Sequence, residues 1–460
     1  MLRSSRRCFI LNTWSDDDEL LTLKISALSS DGAGIARTDR GIIFVQGGLP
    51  GETVRAKIVM RKKDFMIADT VSIEEASPGR IAPKCKYYGR CGGCQLQHAD
   101  YSTQLKLKAD IVIDAMNRLG GFRVRDVECE ASPESWGYRN KAAFPVQNIR
   151  GKICTGFYRA GTHRLELIRQ CPVNAKRLNE IYGKVLDGLD SGRLPFDGYD
   201  ERSGTGKLRH IIARTGIHTG ESLLSFVVNG KLSAKSVKAL AALGNSSHPS
   251  TITLNHNSKP GNVILGAYTE SLLGNGLISE LLGKYRLAFD TASFFQVNTE
   301  QAEKLFTYAS SQVRTARHIL ELYSGTGSLT CYLAGNAKSV TSIEEWRGAV
   351  KMASRNLEAN GFGNVEALCG RSEDVIADLQ DAGKYDAVVL DPPRDGCARG
   401  VLDAVNRFGV RRIVYVSCNP ATLARDCRVL AGWGYELESL RAFDMFPQTA
   451  HVESVAVLRK

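Results

Sequence analysis

The sequence predicts a multidomain α/β protein: a small OB-like β-barrel at the N-terminus, a mixed α+β central domain, and a C-terminal Rossmann-like domain on a doubly wound, mostly parallel sheet. Three observations carry this expectation. A chain of 460 residues holds about three domains at roughly 150 residues each. Between Leu20 and about Ala76 apolar and polar residues alternate between turn signals, as in strands with one buried face. From Leu287 onward short apolar runs alternate with helix-like sequence, the signature of a sheet covered by helices.

Residues 1–17 open with the basic run MLRSSRRCFILN. Its apolar stretch is too short for a signal peptide and no small-residue cleavage site follows, so a disordered tail and a cytoplasmic location are expected. No stretch approaches the ~20 apolar residues that cross a bilayer, and no membrane association is expected.

Residues 18–78 carry LTLKISAL, DGAG and GIIFVQGGLPGETVRAKIV, short strands separated by glycine turns. The segments DGAGIA, FVQGGLPGE and MRKKDFMIAD resemble a TRAM domain, an RNA-binding β-barrel. By that resemblance Arg61, Lys62 and Lys63 grip phosphate. The 60 Lys and Arg against 49 Asp and Glu, a net charge of +11, favour a polyanionic partner on independent grounds, because phosphate contacts release condensed counterions.

Residues 79–285 mix strand-like runs, YRNKAAFPV and ESLLSFVVNG, with glycine and charged turns; no topology follows from them. Helical spacing from Asp100 to Leu119 predicts a helix at about 98–121 that packs on the C-terminal domain. Cys85, Cys91 and Cys94 stand with five and then two intervening residues, and Cys171 lies downstream in RQCPVN. Twelve cysteines without a secretory signal do not form a disulfide framework. Four thiolates suit zinc or an iron–sulfur cluster, and spacing does not choose between them. Cys8, Cys129, Cys154, Cys331, Cys369, Cys397 and Cys427 show no such pattern. In WGYRNKAAF and GKLRHIIARTG basic residues interleave with aromatic or apolar ones, so Trp136, Tyr138, Arg139 and Arg209 are candidates to stack on or pair with single-stranded RNA.

Residues 286–460 place strands in RHILELYSG, SVTSIEE, YDAVVLDPP and RRIVYVSCNP. Their unusual residues fall at the carboxyl ends, where doubly wound sheets bind ligands. In ELYSGTGSLT, Gly325 and Gly327 let a ligand approach the backbone. Glu344, seventeen residues past Gly327, ends the next strand, where a carboxylate accepts hydrogen bonds from ribose hydroxyls. A dinucleotide site needs GxGxxG; GTGSLT lacks one glycine, and an S-adenosylmethionine pocket fits better. Cys418 directly follows a buried strand, and Asn419 and Pro420 turn the chain so that the thiol faces the ligand edge.

The motifs FFQVN, ELYSGTGSLT, SIEE, LDPPRDG, VSCNPATLARD and MFPQTAHVES, in this order from Phe294 to Ser454, resemble the catalytic domain of the RNA 5-methyluridine methyltransferases. The resemblance implies Cys418 as nucleophile and Glu453 as the base that removes the carbon 5 proton. It implies S-adenosylmethionine at Gln296, Tyr323, Gly325, Gly327, Ser328, Glu344 and Asp391. Arg371 stands where some members supply Asn to the adenine. With the TRAM segment, Cys85, Cys91, Cys94 and Cys171 match the cluster-bearing branch, which acts on a uridine of large-subunit (23S) ribosomal RNA. That resemblance implies a 4Fe-4S cluster of structural role. A monomer without an obligate protein partner is expected, and a transfer RNA T-loop uridine is the alternative target.

Three other readings compete. A TRAM-bearing radical enzyme needs CxxxCxxC, which does not occur here. LDPPR resembles the NPPY-type motif of exocyclic-amine methyltransferases but lacks its first Asn and last aromatic. A non-catalytic RNA-binding factor leaves Cys418, Glu453 and the cofactor turn unexplained.

Overall fold

The computed structural model describes residues 20–247, 249–379 and 383–460; the expected tail at 1–17 lies outside them. The chain divides into two compact units, one running to Ala82 and including His98–Asp100, the other Pro83–Gln97 and Tyr101–Lys460.

The first unit is a six-stranded sheet in the order Leu20–Lys24, Thr53–Arg61, Phe65–Glu75, Gly41–Gln46, Gly34–Thr38, Ala27–Leu28. Period-two alternation sends Leu23, Ile43, Val45, Val54, Ala56 and Ala68 into one core. A Cβ on Gly34 would lie 2.8 Å from the Gly48 carbonyl oxygen, so DGAG and GGLP need glycine where their backbones meet. Arg61, Lys62 and Lys63 are exposed at the turn between the two longest strands.

In the second unit, a central six-stranded sheet runs Tyr268–Leu273, Thr251–His256, Ser222–Val228, Leu208–Thr215, Lys141–Ile149, Lys152–Thr155. The helices Lys176–Asp190 and Ala234–Ser247 accompany it. Ser222–Val228 is buried throughout, five apolar residues with the small Ser222 and Ser225 between sheet neighbours on both sides.

The second sheet of this unit has eight strands, ordered Val365–Cys369, Ser339–Glu344, His318–Leu322, Ala387–Leu390, Arg412–Ser417, Glu453–Arg459, Glu436–Phe443, Cys129–Glu130. The five strands from Val365–Cys369 to Arg412–Ser417 are mutually parallel, and Glu453–Arg459 is antiparallel to both its neighbours. Strand order reverses between His318–Leu322 and Ala387–Leu390, and the crevice beyond that switch point is where such sheets receive ligands. Apolar clusters cover both faces.

Residues from the central part of the sequence complete this sheet. Helix Tyr101–Arg118 buries Val112, Ala115 and Met116 in the core it shares with Leu423 and Leu430 of helix Pro420–Ala431. Cys129–Glu130 adds the edge strand, parallel to Glu436–Phe443. Among the described residues, no helix is long and apolar enough to cross a membrane.

Candidate active site

A cavity of about 590 Å³ opens at the switch point, and Gln296, Tyr323, Gly325, Ser328, Glu344, Asp391, Cys418 and Glu453 all line it. Gly327 stands behind the turn instead. It caps helix Ser328–Ala334 at φ +82°, and a Cβ there would come within 3.1 Å of Ala353. Its glycine serves the turn and the helix packing. Tyr323 also has a left-handed backbone, φ +65°, a strain of about 1–3 kcal/mol for a side-chain-bearing residue and one that clusters at functional sites.

Glu344 is oriented by the backbone on both sides. The Gly325 N–H donates to one carboxylate oxygen and the Trp346 N–H to the other, each at 2.9 Å. Each oxygen keeps a further lone pair for a ligand hydroxyl. Glu321, on the strand leading into the turn, is 2% exposed with one carboxylate oxygen lacking a hydrogen-bond partner among the described residues. Burial pushes it up to about 8, and the Asp391 and Glu344 charges add to the rise. Burial likewise raises Asp391 to about 7. These carboxyl groups fit a cationic ligand bearing a ribose. Arg371 is directed elsewhere: it pairs with Glu373 at 2.6 Å, and Ser372 and Glu373 line the cavity in its place.

The strand Arg412–Ser417 delivers Cys418. Asn419 caps the following helix by accepting from the Ala421 N–H, and Pro420 occupies the first turn, where its missing N–H leaves no bond unmade. Asn419 Nδ2 donates to the Arg394 carbonyl at 3.0 Å, tying the cysteine turn to DPPR. Ser417 pairs with Ser454 in antiparallel register, so Cys418 and Glu453 continue from facing strand ends.

Burial pushes the Cys418 thiol up to about 11; the Glu453 charge adds to this and Arg394 opposes it. Glu453, 4% exposed, is raised well above the usual carboxylate range by burial and then by Asp391, again against Arg394. Arg394 therefore favours the anionic form of both groups. It was not singled out from the sequence, although it lies inside LDPPRDG. Glu321, Trp346, Phe446 and His451, which also line the cavity, were missed too. Glu321 reads as one more strand residue, and Phe446 and His451 acquire meaning only when their loop closes over the strand ends.

The second cavity, about 460 Å³, is lined by Cys85, Cys91, Cys94 and Cys171 together with Arg139 and Lys141. All four cysteines are free thiols. The Gly93 N–H reaches the Cys91 sulfur at 3.4 Å, and the backbone at Val173 and Asn174 bonds the Cys171 thiol. Burial raises the Cys91, Cys94 and Cys171 thiols, Cys94 to about 12. Among the described residues, no three His, Cys, Asp or Glu side chains are grouped to hold a single metal ion.

Two of the four candidate RNA contacts are withdrawn by burial. Tyr138 is 5% exposed and donates to the Pro447 carbonyl at 2.9 Å. Arg209 is 3% exposed; it donates to the carbonyls of Asn257, Lys259 and Gly261 and stacks over Tyr199. A guanidinium in a polar–aromatic alternation serves a buried loop as readily as a phosphate. Trp136 is half-buried beneath Lys84, and Arg139 faces the four-cysteine cavity.

Comparison with known proteins extends this geometry. A family model described as tRNA (Uracil-5-)-methyltransferase matches residues 277–460, and the TRAM domain matches residues 19–81. The chain is 36% identical over 446 residues to an uncharacterized RNA methyltransferase of Halalkalibacterium halodurans, covering 96% of this chain and 97% of that protein. It is 39% identical over 448 residues to an uncharacterized RNA methyltransferase of Gloeobacter violaceus, covering 96% and 97%. The crystal structure of Pyrococcus abyssi tRNA (uracil-54, C5)-methyltransferase in complex with S-adenosyl-L-homocysteine matches at TM-score 0.77 and 28% identity, covering 95% of this chain and 100% of that one. With relatives of this identity along nearly its whole length, the chain belongs to the S-adenosylmethionine-dependent, TRAM-containing RNA uracil-C5 methyltransferase family.

Proposed function

We propose that the protein methylates carbon 5 of a uridine in 23S ribosomal RNA through a covalent adduct on Cys418, resolved by Glu453. The observation that carries the reading is that Cys418 and Glu453 flank the Ser417–Ser454 pair at adjoining antiparallel strand ends and line one cavity with Arg394.

Carbon 5 of uracil is too weak a nucleophile to take a methyl group unaided. The Cys418 thiolate adds to carbon 6, and the new S–C bond leaves an enolate whose electron density lies on carbon 5. S-adenosylmethionine supplies the methyl group there. Glu453 takes the proton from carbon 5, the electrons of that C–H bond restore the C5–C6 double bond, and Cys418 leaves as thiolate. Arg394 offsets the negative charge of both residues. Glu344 would accept the cofactor's ribose hydroxyls, and Glu321 and Asp391, whose ionised forms a bound cation favours, would complement its sulfonium and ammonium groups. Gln296, Tyr323, Gly325 and Ser328 complete the wall, with Gly327 shaping the turn.

By the family resemblance Cys85, Cys91, Cys94 and Cys171 would hold a 4Fe-4S cluster, one thiolate at each iron, and the four thiols line one cavity as that requires. Backbone N–H groups at the sulfurs fit the same donor set. Its role is structural, since methyl transfer involves no net electron flow. The TRAM segment grips RNA through Arg61, Lys62 and Lys63.

The cluster cysteines together with the TRAM segment support ribosomal RNA. Transfer RNA is the second reading, favoured by the likeness to the Pyrococcus abyssi enzyme. Mapping 5-methyluridine in both RNAs from a strain lacking the protein tests the choice. Loss from 23S ribosomal RNA alone is the expected result; loss from transfer RNA alone overturns it.

A further inference from the structure

The loop that joins strand Glu436–Phe443 to strand Glu453–Arg459 carries Phe446, His451 and the approach to Glu453. Asn298 of the C-terminal segment donates to its Met445 carbonyl at 3.3 Å, but much of its anchorage comes from outside that segment. Lys108, wholly buried on helix Tyr101–Arg118, forms an ion pair with equally buried Asp444 and donates to the Phe446 carbonyl at 3.0 Å. Tyr138 holds Pro447.

Gln448 is the most heavily tied residue of the loop. It is 3% exposed and has a left-handed backbone, φ +72°. Its N–H donates to Gln104 Oε1 at 2.9 Å, and its side-chain oxygen accepts from Gln104 Nε2 at 3.1 Å. Its side-chain amide reaches the Ser135 carbonyl at 3.3 Å. Its own carbonyl accepts from the N–H groups of Gln95 and Leu96, at 3.1 and 2.9 Å. Those two residues directly follow Cys94, whose side chain faces the four-cysteine cavity. Every one of these bonds leaves the C-terminal segment, and two end on the cysteine turn. A strained backbone persists only where its surroundings over-determine it, and here the surroundings are the central residues.

We propose that Gln448 is a positioning residue: it clamps the loop before Glu453 to the Cys94 turn and to helix Tyr101–Arg118, so that proton removal by Glu453 depends on the folded four-cysteine loop. The inference rests on the roles proposed for Cys418 and Glu453. Gln448 touches neither cofactor nor uracil in this scheme; it acts through Glu453. Methyl transfer precedes the step that needs Glu453, so a loosened clamp slows decay of the adduct more than its formation.

The test uses full-length Gln448→Gly, in which the left-handed backbone and the carbonyl acceptor remain and only the side-chain bonds go. Gln104→Leu, which removes the Gln104 Nε2–Gln448 Oε1 bond from the helix side and with it the acceptor of the Gln448 N–H, is the second variant. Single-turnover methyl transfer, decay of the protein–RNA adduct, S-adenosylhomocysteine affinity and iron content are measured for each. Both variants should keep wild-type cofactor affinity and iron content. Both should slow adduct decay by roughly tenfold to a hundredfold, within the loss that an ångström-scale misplacement produces, so that adduct builds up during turnover. Adduct decay at the wild-type rate overturns the clamp, and so does a loss shared equally by methyl transfer, adduct decay and cofactor affinity, which marks simple unfolding. If the wild-type protein forms no adduct at all, the reading of Cys418 and Glu453 fails, and the positioning role fails with it.

Discussion

Replacing Glu453 by Gln should arrest the enzyme on methylated RNA. Glu453 is 4% exposed beneath the strand ends, and Gln has the same shape, so the packing that delivers Cys418 is retained. Ionised Glu453 raises the Cys418 thiol, and Gln carries no charge at any pH, so the replacement does not hinder addition to carbon 6. What is lost is proton removal from carbon 5. A positioned general base contributes roughly a hundredfold to ten-thousandfold. Against a typical turnover of about 10 per second, the adduct then decays at about 0.1 to 0.001 per second, with a half-life of roughly 10 seconds to 10 minutes. That exceeds the time of a manual quench, so denaturing electrophoresis should show a protein–RNA band carrying labelled methyl. Cys418→Ala should show neither band nor activity, because no other group can saturate the C5–C6 bond. Wild-type turnover by Glu453→Gln, with no band, would refute the role given to Glu453.

Arg394 opposes the raised values of both Cys418 and Glu453. Arg394→Gln therefore raises both further and moves the ascending limb of the pH–rate profile to higher pH, by roughly one unit; an unshifted limb measured by stopped-time assays counts against this role. Anaerobically purified protein should be brown and contain iron and sulfide, and Cys91→Ser should bleach it; stoichiometric zinc instead would sink the cluster. Replacing Arg61, Lys62 and Lys63 together by Ala should flatten the dependence of log affinity on log salt by roughly 2, at ~0.7 per single-strand phosphate contact. An unchanged slope would take the TRAM turn off the RNA.

The four ligand-bearing strands were legible because each is a short apolar run ending in a turn signal, and strands lie at His318–Leu322, Ser339–Glu344, Ala387–Leu390 and Arg412–Ser417. Local pattern suffices when a strand is buried on both faces. The central sheet was not legible, because its order and its single parallel pair, Ser222–Val228 with Thr251–His256, are set by distant partners. Arg209 shows the same limit at one residue. Its sequence context resembles an RNA contact, yet three carbonyls of the loop after His256 claim it. Arg394 was hidden for the converse reason, since its influence depends on two groups that lie 24 and 59 residues away in sequence and meet only through the pairing of Arg412–Ser417 with Glu453–Arg459.

The electrostatics of the cavity bear on the order of events. Burial raises Glu321 to about 8, Asp391 to about 7 and the Cys418 thiol to about 11, and holds Glu453 well above the carboxylate range. At neutral pH the empty site thus holds Cys418 as a thiol, the form unsuited to attack. A cation entering it favours every anionic form at once, because opposite charge lowers each of these values. S-adenosylmethionine carries that cation on its sulfonium and loses it when the methyl group leaves. On the roles proposed for Cys418 and Glu453, the charge that would help Cys418 ionise is present before methyl transfer and gone afterwards, when the thiolate would be eliminated and take up a proton. If Cys418 is the nucleophile, it would then be strong only beside an unspent cofactor, and RNA bound without a methyl donor would be spared attack.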